Sequence, residues 1–294
     1  MRNTIKYYYN IYPEEIYQKK DIYIFKNNNQ TYWLLLINRD IQDLLKIYSY
    51  LITYNFYCHE IIYNQNNEII TIVNGKKYIL IKLYNNSNET INLPIIRAYN
   101  LEINTDKKCN WFNLWCNKVD YYEYHISQNG KKYPLLKKCF DYYIGLTETA
   151  ISLVKSIDIS SISMFINHDR ININTTLSEF YNPLNFLIDV KIRDVCEYFK
   201  SAFFSSKKNI IKEIETYLVT DNISNEEAIL FLARIIYPSY FYDTYDLIIQ
   251  NQKQESDLYF YINKHKEFEI FLKDILILLK QKYNVPIIEW IIKT

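Results

Sequence analysis

The sequence predicts an α+β fold of two lobes, a small antiparallel sheet carrying one helix and then a mainly helical body. Three observations predict it. β-type alternation with hairpin signals is confined to the chain before Leu83, helical periodicity dominates after residue 100, and one irregular segment, 162–189, interrupts the helices.

In order, Asp21–Phe25 and Tyr32–Ile37 are rich in Ile, Tyr, Trp and Leu and flank Lys26 and the polar turn Asn27-Asn28-Asn29-Gln30, which predicts a hairpin. Asp40 can then cap a helix in which Ile41, Leu44, Leu45, Tyr48 and Leu51 form one apolar stripe. A second hairpin, Glu68–Val73 with Lys76–Leu83, surrounds Asn74-Gly75, a turn whose two central residues must both take positive φ. One helix between two hairpins can cover one face of the sheet. Alternation stops between Leu83 and about Asn100, so the expected lobes are 1–90 and 91–294.

In the helical part, Trp111, Leu114, Trp115 and Val119 are expected to share a buried face, as core rather than as an aromatic cage. Gly145, inside the amphipathic stretch Pro134–Val154, is read as a close helix crossing. The irregular segment has apolar runs at Met164–Ile166 and Phe186–Ile188. Helices follow at Ile192–Phe204, Asn209–Leu218, Ala228–Ile236 behind a capping box of Ser224 with Glu227, and Phe268–Leu279.

A chain of 294 residues, 49% hydrophobic, can bury a sizeable core. With 34 basic and 33 acidic side chains it has no general field to gather nucleic acid or an anionic membrane. Tyr, Ile, Asn and Lys, all encoded by A/T-rich codons, are in excess, with 31 Tyr against 3 Gly. Genome bias accounts for the tyrosines; cross-linking in an extracellular shell is the functional alternative. Cys58, Cys109, Cys116, Cys139 and Cys196 form no CxxC pair and the histidines lie far apart, so no zinc spacing appears and free thiols in a reducing compartment are expected. His59 and His125 read as structural. No apolar signal core or membrane-length stretch is present, which predicts a protein made and kept in the cytosol.

Phe165-Ile-Asn-His-Asp-Arg-Ile-Asn-Ile-Asn174 followed by Phe186-Leu-Ile-Asp-Val-Lys-Ile-Arg-Asp-Val-Cys-Glu-Tyr-Phe199 resembles a kinase catalytic loop, a strand ending in a metal-binding Asp, and a helix bearing a structural Asp. Trp111-x-x-x-Trp115-x-x-x-x-Asp120-x-x-Glu123, Tyr142-Tyr-Ile-Gly-Leu-Thr-Glu-Thr-Ala150 and Ala233-Arg-Ile-Ile-Tyr-Pro-Ser-Tyr-Phe241 extend the likeness over most of the chain. Together they resemble the spore-coat kinase-like proteins of endospore-forming bacteria, the CotS/YutH type. The resemblance implies a bilobal protein-kinase-like fold of the aminoglycoside/choline phosphotransferase kind, ATP and Mg2+ as cofactors, sporulation or spore-coat proteins as partners, and a path from the cytoplasm to the spore coat.

Kinase-like loops place His-x-Asp five residues ahead of an Asn, with a metal-binding Asp further on. Two registers fit. If His168 is the loop histidine, Arg170 and Thr175 take the Asp and Asn positions and the site is dead. If Asp169 is the catalytic Asp, Asn174 falls at the required offset, Asn167 replaces the histidine, and Asp169, Asn174 and Asp189 remain as base and metal ligands. Against this, Asp169 and Asn174 are common loop residues. Asp189 ends an apolar strand as a metal ligand or as a cap, and Asp194 suits a helix cap.

The nucleotide side is poorer. The turn Lys26–Gln30 lacks glycine, Tyr32–Ile37 lacks the kinase lysine, and the following helix offers Asp43 but no Glu. Lys26, Arg39 or Lys82 are the substitutes available. The leading expectation is a degenerate kinase-like protein, a pseudokinase with a structural or interaction role, binding ATP and Mg2+ weakly. The alternatives are an active ATP/Mg-dependent phosphotransferase acting on a small hydroxyl compound or a protein, and an unrelated α/β binding module.

Overall fold

The computed structural model describes residues 1–19, 21–37, 41–84 and 86–293. Its elements are α1 (Arg2–Tyr9), β1 (Ile16–Lys19), β2 (Ile22–Asn27), β3 (Gln30–Leu36), α2 (Gln42–Thr53), β4 (Glu60–Ile62), β5 (Thr71–Val73), β6 (Lys76–Lys82), α3 (Leu93–Ala98), α4 (Trp111–Asn129), α5 (Pro134–Lys155), β7 (Met164–His168), α6 (Leu177–Phe180), β8 (Phe186–Val190), α7 (Arg193–Phe204), α8 (Ile210–Thr220), α9 (Asn225–Ile236), α10 (Ser239–Ile249), α11 (Tyr259–Ile262), α12 (His265–Lys282) and α13 (Glu289–Lys293). These form two compact units, Met1–Leu101 with Ile166–Ile188, and Glu102–Phe165 with Asp189–Thr294. β7 and β8 pair with each other.

The first unit is built on a six-stranded antiparallel sheet in the order β1-β2-β3-β6-β4, with β5 paired to β6. Its pleat sends Trp33, Leu35 and Ile37 to one face, where they meet Ile24, Ile79, Ile81 and Leu44 of α2. Tyr32 and Leu34 go to the other face with Phe25, Tyr78 and Leu80, under Ile5 and Tyr9 of α1. Both faces are therefore covered, which is why β3 is continuously apolar instead of alternating. α1 and β1 are additions to the order expected from sequence: α1 turns only Ile5 and Tyr9 inward, and four residues of β1 carry little pattern. Asp40 lies outside the described residues; the α2 N-cap is Ile41, with no side-chain cap bond.

Asn28 and Asn29 close the β2–β3 hairpin at φ 49° and 61°, and Asn74 and Gly75 close β5–β6 at 50° and 74°. Asparagine tolerates this left-handed region because its short amide bonds to nearby backbone. It does so at eight positions among the described residues, while Gly75 alone of the three glycines has positive φ.

The second unit is mainly helical. Trp111, Trp115 and Tyr122 form the buried edge of α4, whereas Leu114, expected beside them, is exposed. Trp111 stacks on Trp115 at 5.2 Å and Trp115 on Tyr237 at 4.2 Å, and these stacks turn Leu114 outward. The Ser224–Glu227 capping box forms, with the Glu227 amide donating to Ser224 Oγ at 3.1 Å and the Ser224 amide to the Glu227 carboxylate at 2.8 Å. Asp194 is not a cap; Ile192 holds that position and Asp194 is buried in the first turn of α7.

Gly145 also departs from expectation. It lies on the exposed side of α5, and a Cβ there would meet nothing within 4 Å, so it marks no helix crossing. With the space open and the backbone helical, Gly145→Ala should raise stability by about 1 kcal/mol, seen as a higher denaturant midpoint at unchanged slope.

Candidate functional site

The segment between β7 and β8 is held by backbone bonds at several points of the first unit. Ile91 N–H donates to Thr175 O at 2.9 Å, Leu177 N–H to Glu89 O at 2.8 Å, and Asp169 N–H to Asn185 O at 2.7 Å. Thr176 and Glu179 form a capping box for α6. Two buried histidines complete the scaffold. His168 bonds Phe180 O through Nε2 at 3.0 Å and stacks on the Phe180 ring at 4.1 Å. His59 Nε2 lies 2.9 Å from Ser178 O, and its Nδ1 accepts from the Tyr84 amide at 3.4 Å, a pattern that suits the neutral ring. Burial pushes its pKa down to about 4.

This segment and the sheet enclose an open cavity of about 710 Å3. Ile22, Ile24, Trp33, Leu35, Leu36 and Ile37 supply its aliphatic and aromatic wall, and Lys19, Asp169, Arg170, Asn172, Thr175 and Glu179 are among its polar groups. Asp169 and Arg170 are both exposed and pair at 3.5 Å. Asn174 is exposed and spends its amide N–H on Asn172 Oδ1 at 2.8 Å, while Asn172 itself lines the cavity. Thr175 is buried, and its hydroxyl accepts the Asn172 N–H at 2.9 Å.

The structure relocates the turn that matters. The wall uses the start of β2 and the end of β3, paired as Ile22 with Leu35, so the Asn28-Asn29 turn closes the far end of that hairpin. Lys19, the last residue of β1, lines the cavity instead, and the sequence between it and Ile22 of β2 contains no glycine. Among the substitute cations, Lys26 is exposed on β2 toward that far turn, Lys82 pairs with Glu60 at 3.5 Å, and Arg39 lies outside the described residues. The cations on the cavity, among the described residues, are Lys19, on a strand β1 that the sequence pattern did not show, and Arg170, which the sequence offered only as the residue replacing a catalytic Asp.

Asp189, the fourth residue of β8, is where the chain returns to the second unit, and it is buried. Its Oδ1 accepts the Val190 amide at 2.8 Å, and its Oδ2 accepts Trp111 Nε1–H at 3.0 Å and Arg193 NH1 at 2.6 Å. Mg2+ binds through several oxygen ligands, with carboxylates and waters foremost. Among the described residues no group of three His, Cys, Asp or Glu is placed to hold a metal, and the Asp189 oxygens face nitrogen donors, including a cation. The residues present do not fit a divalent ion.

Against known proteins, residues 2–275 match the family described as "Spore coat putative kinase YutH", and the chain belongs to that family. Its structure is similar to the aminoglycoside phosphotransferase of Alicyclobacillus acidocaldarius, with a TM-score of 0.69 at 11% identity over 93% of this chain and 94% of that one. It is also similar to the AMP-bound spectinomycin phosphotransferase APH(9)-Ia, TM-score 0.58 at 11% identity over 96% and 97%. The amicoumacin kinase hAmiN, solved with AMP-PNP and Ca2+, gives a TM-score of 0.54 at 9% identity over 97% and 94%. At these identities the likeness shows the fold, an α+β fold of the aminoglycoside phosphotransferase kind. Comparison with curated protein sequences returns no match. No helix among the described residues is long and apolar enough to cross a membrane.

A histidine held neutral in the fold but ionisable when unfolded makes stability fall with pH, because the unfolded chain then binds the extra proton. For His59 the window runs from about 6.5 down to about 4, and the loss approaches roughly 3 kcal/mol at its lower end. A His59→Gln variant should show a flatter melting-temperature profile across that window than the wild type.

Proposed function

We propose that this spore coat family member is a degenerate kinase-like protein that acts as a structural or interaction component, made in the cytoplasm and delivered to the spore coat with other sporulation proteins as partners. The observation that carries the reading is the cavity wall. Phosphoryl transfer needs cations and backbone donors around the nucleotide phosphates. Here β3 and the residue after it offer Trp33, Leu35 and Ile37 where a lysine would be required, the sequence after Lys19 has no glycine before Ile22, and of the two cations on the cavity Arg170 is partnered by Asp169 and Lys19 comes from the edge strand β1. ATP and Mg2+ would bind weakly at best.

A second reading, an active phosphotransferase acting on a small hydroxyl compound or a protein, is favoured by one observation. Asp169 presents an exposed carboxylate to the cavity from a backbone pinned to Asn185, as a base accepting a hydroxyl proton would need. In that reading His168 supports the loop from beside Asp169, and Asp189 would first have to give up Arg193 before it could serve as a metal ligand.

Thermal melting with ATP and Mg2+ should show no saturable stabilisation at micromolar nucleotide; a ligand at 100 times its dissociation constant would add about 2.7 kcal/mol. Labelled-ATP turnover should be at background for wild type and for Asp169→Asn alike. Turnover that Asp169→Asn abolishes without lowering the melting temperature would establish the second reading. For the structural role, the protein should be recovered in the coat extract of purified spores and not in the core fraction.

A further inference from the structure

We infer that Arg193 serves Asp189 as a built-in counter-cation, so that this centre is complete without a divalent metal ion and gains a site for one only when Arg193 is lost. The contact is set by local geometry. Arg193 is the first residue of α7, four positions after Asp189, and the intervening turn is fixed by Val190 and Ile192, both fully buried. The guanidinium reaches Asp189 Oδ2 at 2.6 Å with both side chains about one-tenth exposed, and Trp111 closes a third direction at 3.0 Å.

The surrounding charges point the same way. Asp189, Asp194 and Glu197 are matched in this region by Arg193, Lys200 and Arg234. Arg234 donates Nε–H to Glu197 at 2.7 Å with its guanidinium 5.0 Å from the Trp111 ring centre, and Lys200 pairs with Glu197 at 2.9 Å. Adding a divalent ion to a region balanced in this way would leave two uncompensated positive charges in a dry interior, which is strongly unfavourable. Removing Arg193 reverses the sign: Asp189 loses the cation bonded to its Oδ2, and with Arg234 acting on it only at longer range it becomes a carboxylate that a divalent ion can serve.

The inference deepens the reading of a centre without phosphotransfer and rests on it, and the two are separable by experiment. The full chain is titrated with Mn2+, following the free-ion signal by electron paramagnetic resonance, and melted in EDTA and in Mg2+. Wild type should take up no Mn2+ saturably and melt at the same temperature in both. Arg193→Ala should melt several degrees lower in EDTA, recover part of that loss in Mg2+, and acquire a Mn2+ site that the added change Asp189→Asn removes. Arg193→Lys, which keeps a tethered cation, should stay indifferent to metal.

Saturable Mn2+ uptake by wild type that Asp189→Asn abolishes would overturn the inference, as would a folded Arg193→Ala with no metal response. If Arg193→Ala does not fold, wild type and Arg193→Lys decide between the same outcomes. Mn2+ uptake by wild type without ATP turnover sinks this inference alone, whereas turnover without Mn2+ uptake at Asp189 sinks the reading of a lost activity.

Discussion

A buried carboxylate must be neutralised where it stands, and the way Asp189 meets that constraint organises the second unit. Breaking a buried ion pair by removing one partner costs about 3–5 kcal/mol, because the remaining charge cannot reach water. Asp189 at the end of β8 is held by Arg193 at the start of α7 and by Trp111 at the start of α4, and Trp111 in turn carries the Arg234 guanidinium from α9 on its ring. Arg234 and Lys200 then converge on Glu197. Burial pushes the Glu197 carboxyl up, but the two cations outweigh it and hold it far below the usual range, while burial draws the Lys200 ammonium down to about 8 against the pull of Glu197. Three helices and a strand end are thus tied by charges that are stable only as a set.

The first unit follows a different constraint, the scarcity of glycine. With 3 glycines in the chain, asparagine takes over the left-handed turn positions, as at Asn28-Asn29. Asparagine can supply the φ a turn needs, but its side chain cannot vanish, so it does not let backbone amides close around a phosphate as a glycine loop does. A hairpin sheet survives such a composition. The continuous apolar run of β3, required once α1 and α2 cover both faces, leaves no room for a charged side chain there.

The segment between β7 and β8 is held by buried histidines and backbone bonds within the first unit. His168 and His59 are spent on backbone carbonyls at Phe180 and Ser178, and the loop is bonded to residues 89–91. Buried polar groups satisfied in this way fix one conformation. A loop held this firmly presents Asp169 and Arg170 in a set geometry, which serves an interaction surface as well as it would serve chemistry.

Features whose cause is local are legible in the chain alone. Asn74-Gly75 can only be a tight hairpin turn, Ser224 with Glu227 caps α9 through bonds three residues apart, and Trp111 and Trp115 are too large and apolar to sit outside. The likeness of 165–174 and 186–199 to a kinase loop led to the right family for the same reason, since motif residues lie close in the chain. Features that depend on distant packing are not legible in the chain alone. Leu114 and Val119 were indistinguishable from Trp111 by spacing until the Trp115–Tyr237 stack chose which edge of α4 turns inward. Gly145 looked like a crossing because propensity says only that glycine is costly, not what lies opposite it. α1 and β1 were hidden because each buries too few side chains to show a period. Asp189 was undecided between ligand and cap because its partners include an indole 78 residues away, and whether a carboxylate meets a metal or an arginine depends on which donors packing brings within 3 Å of it.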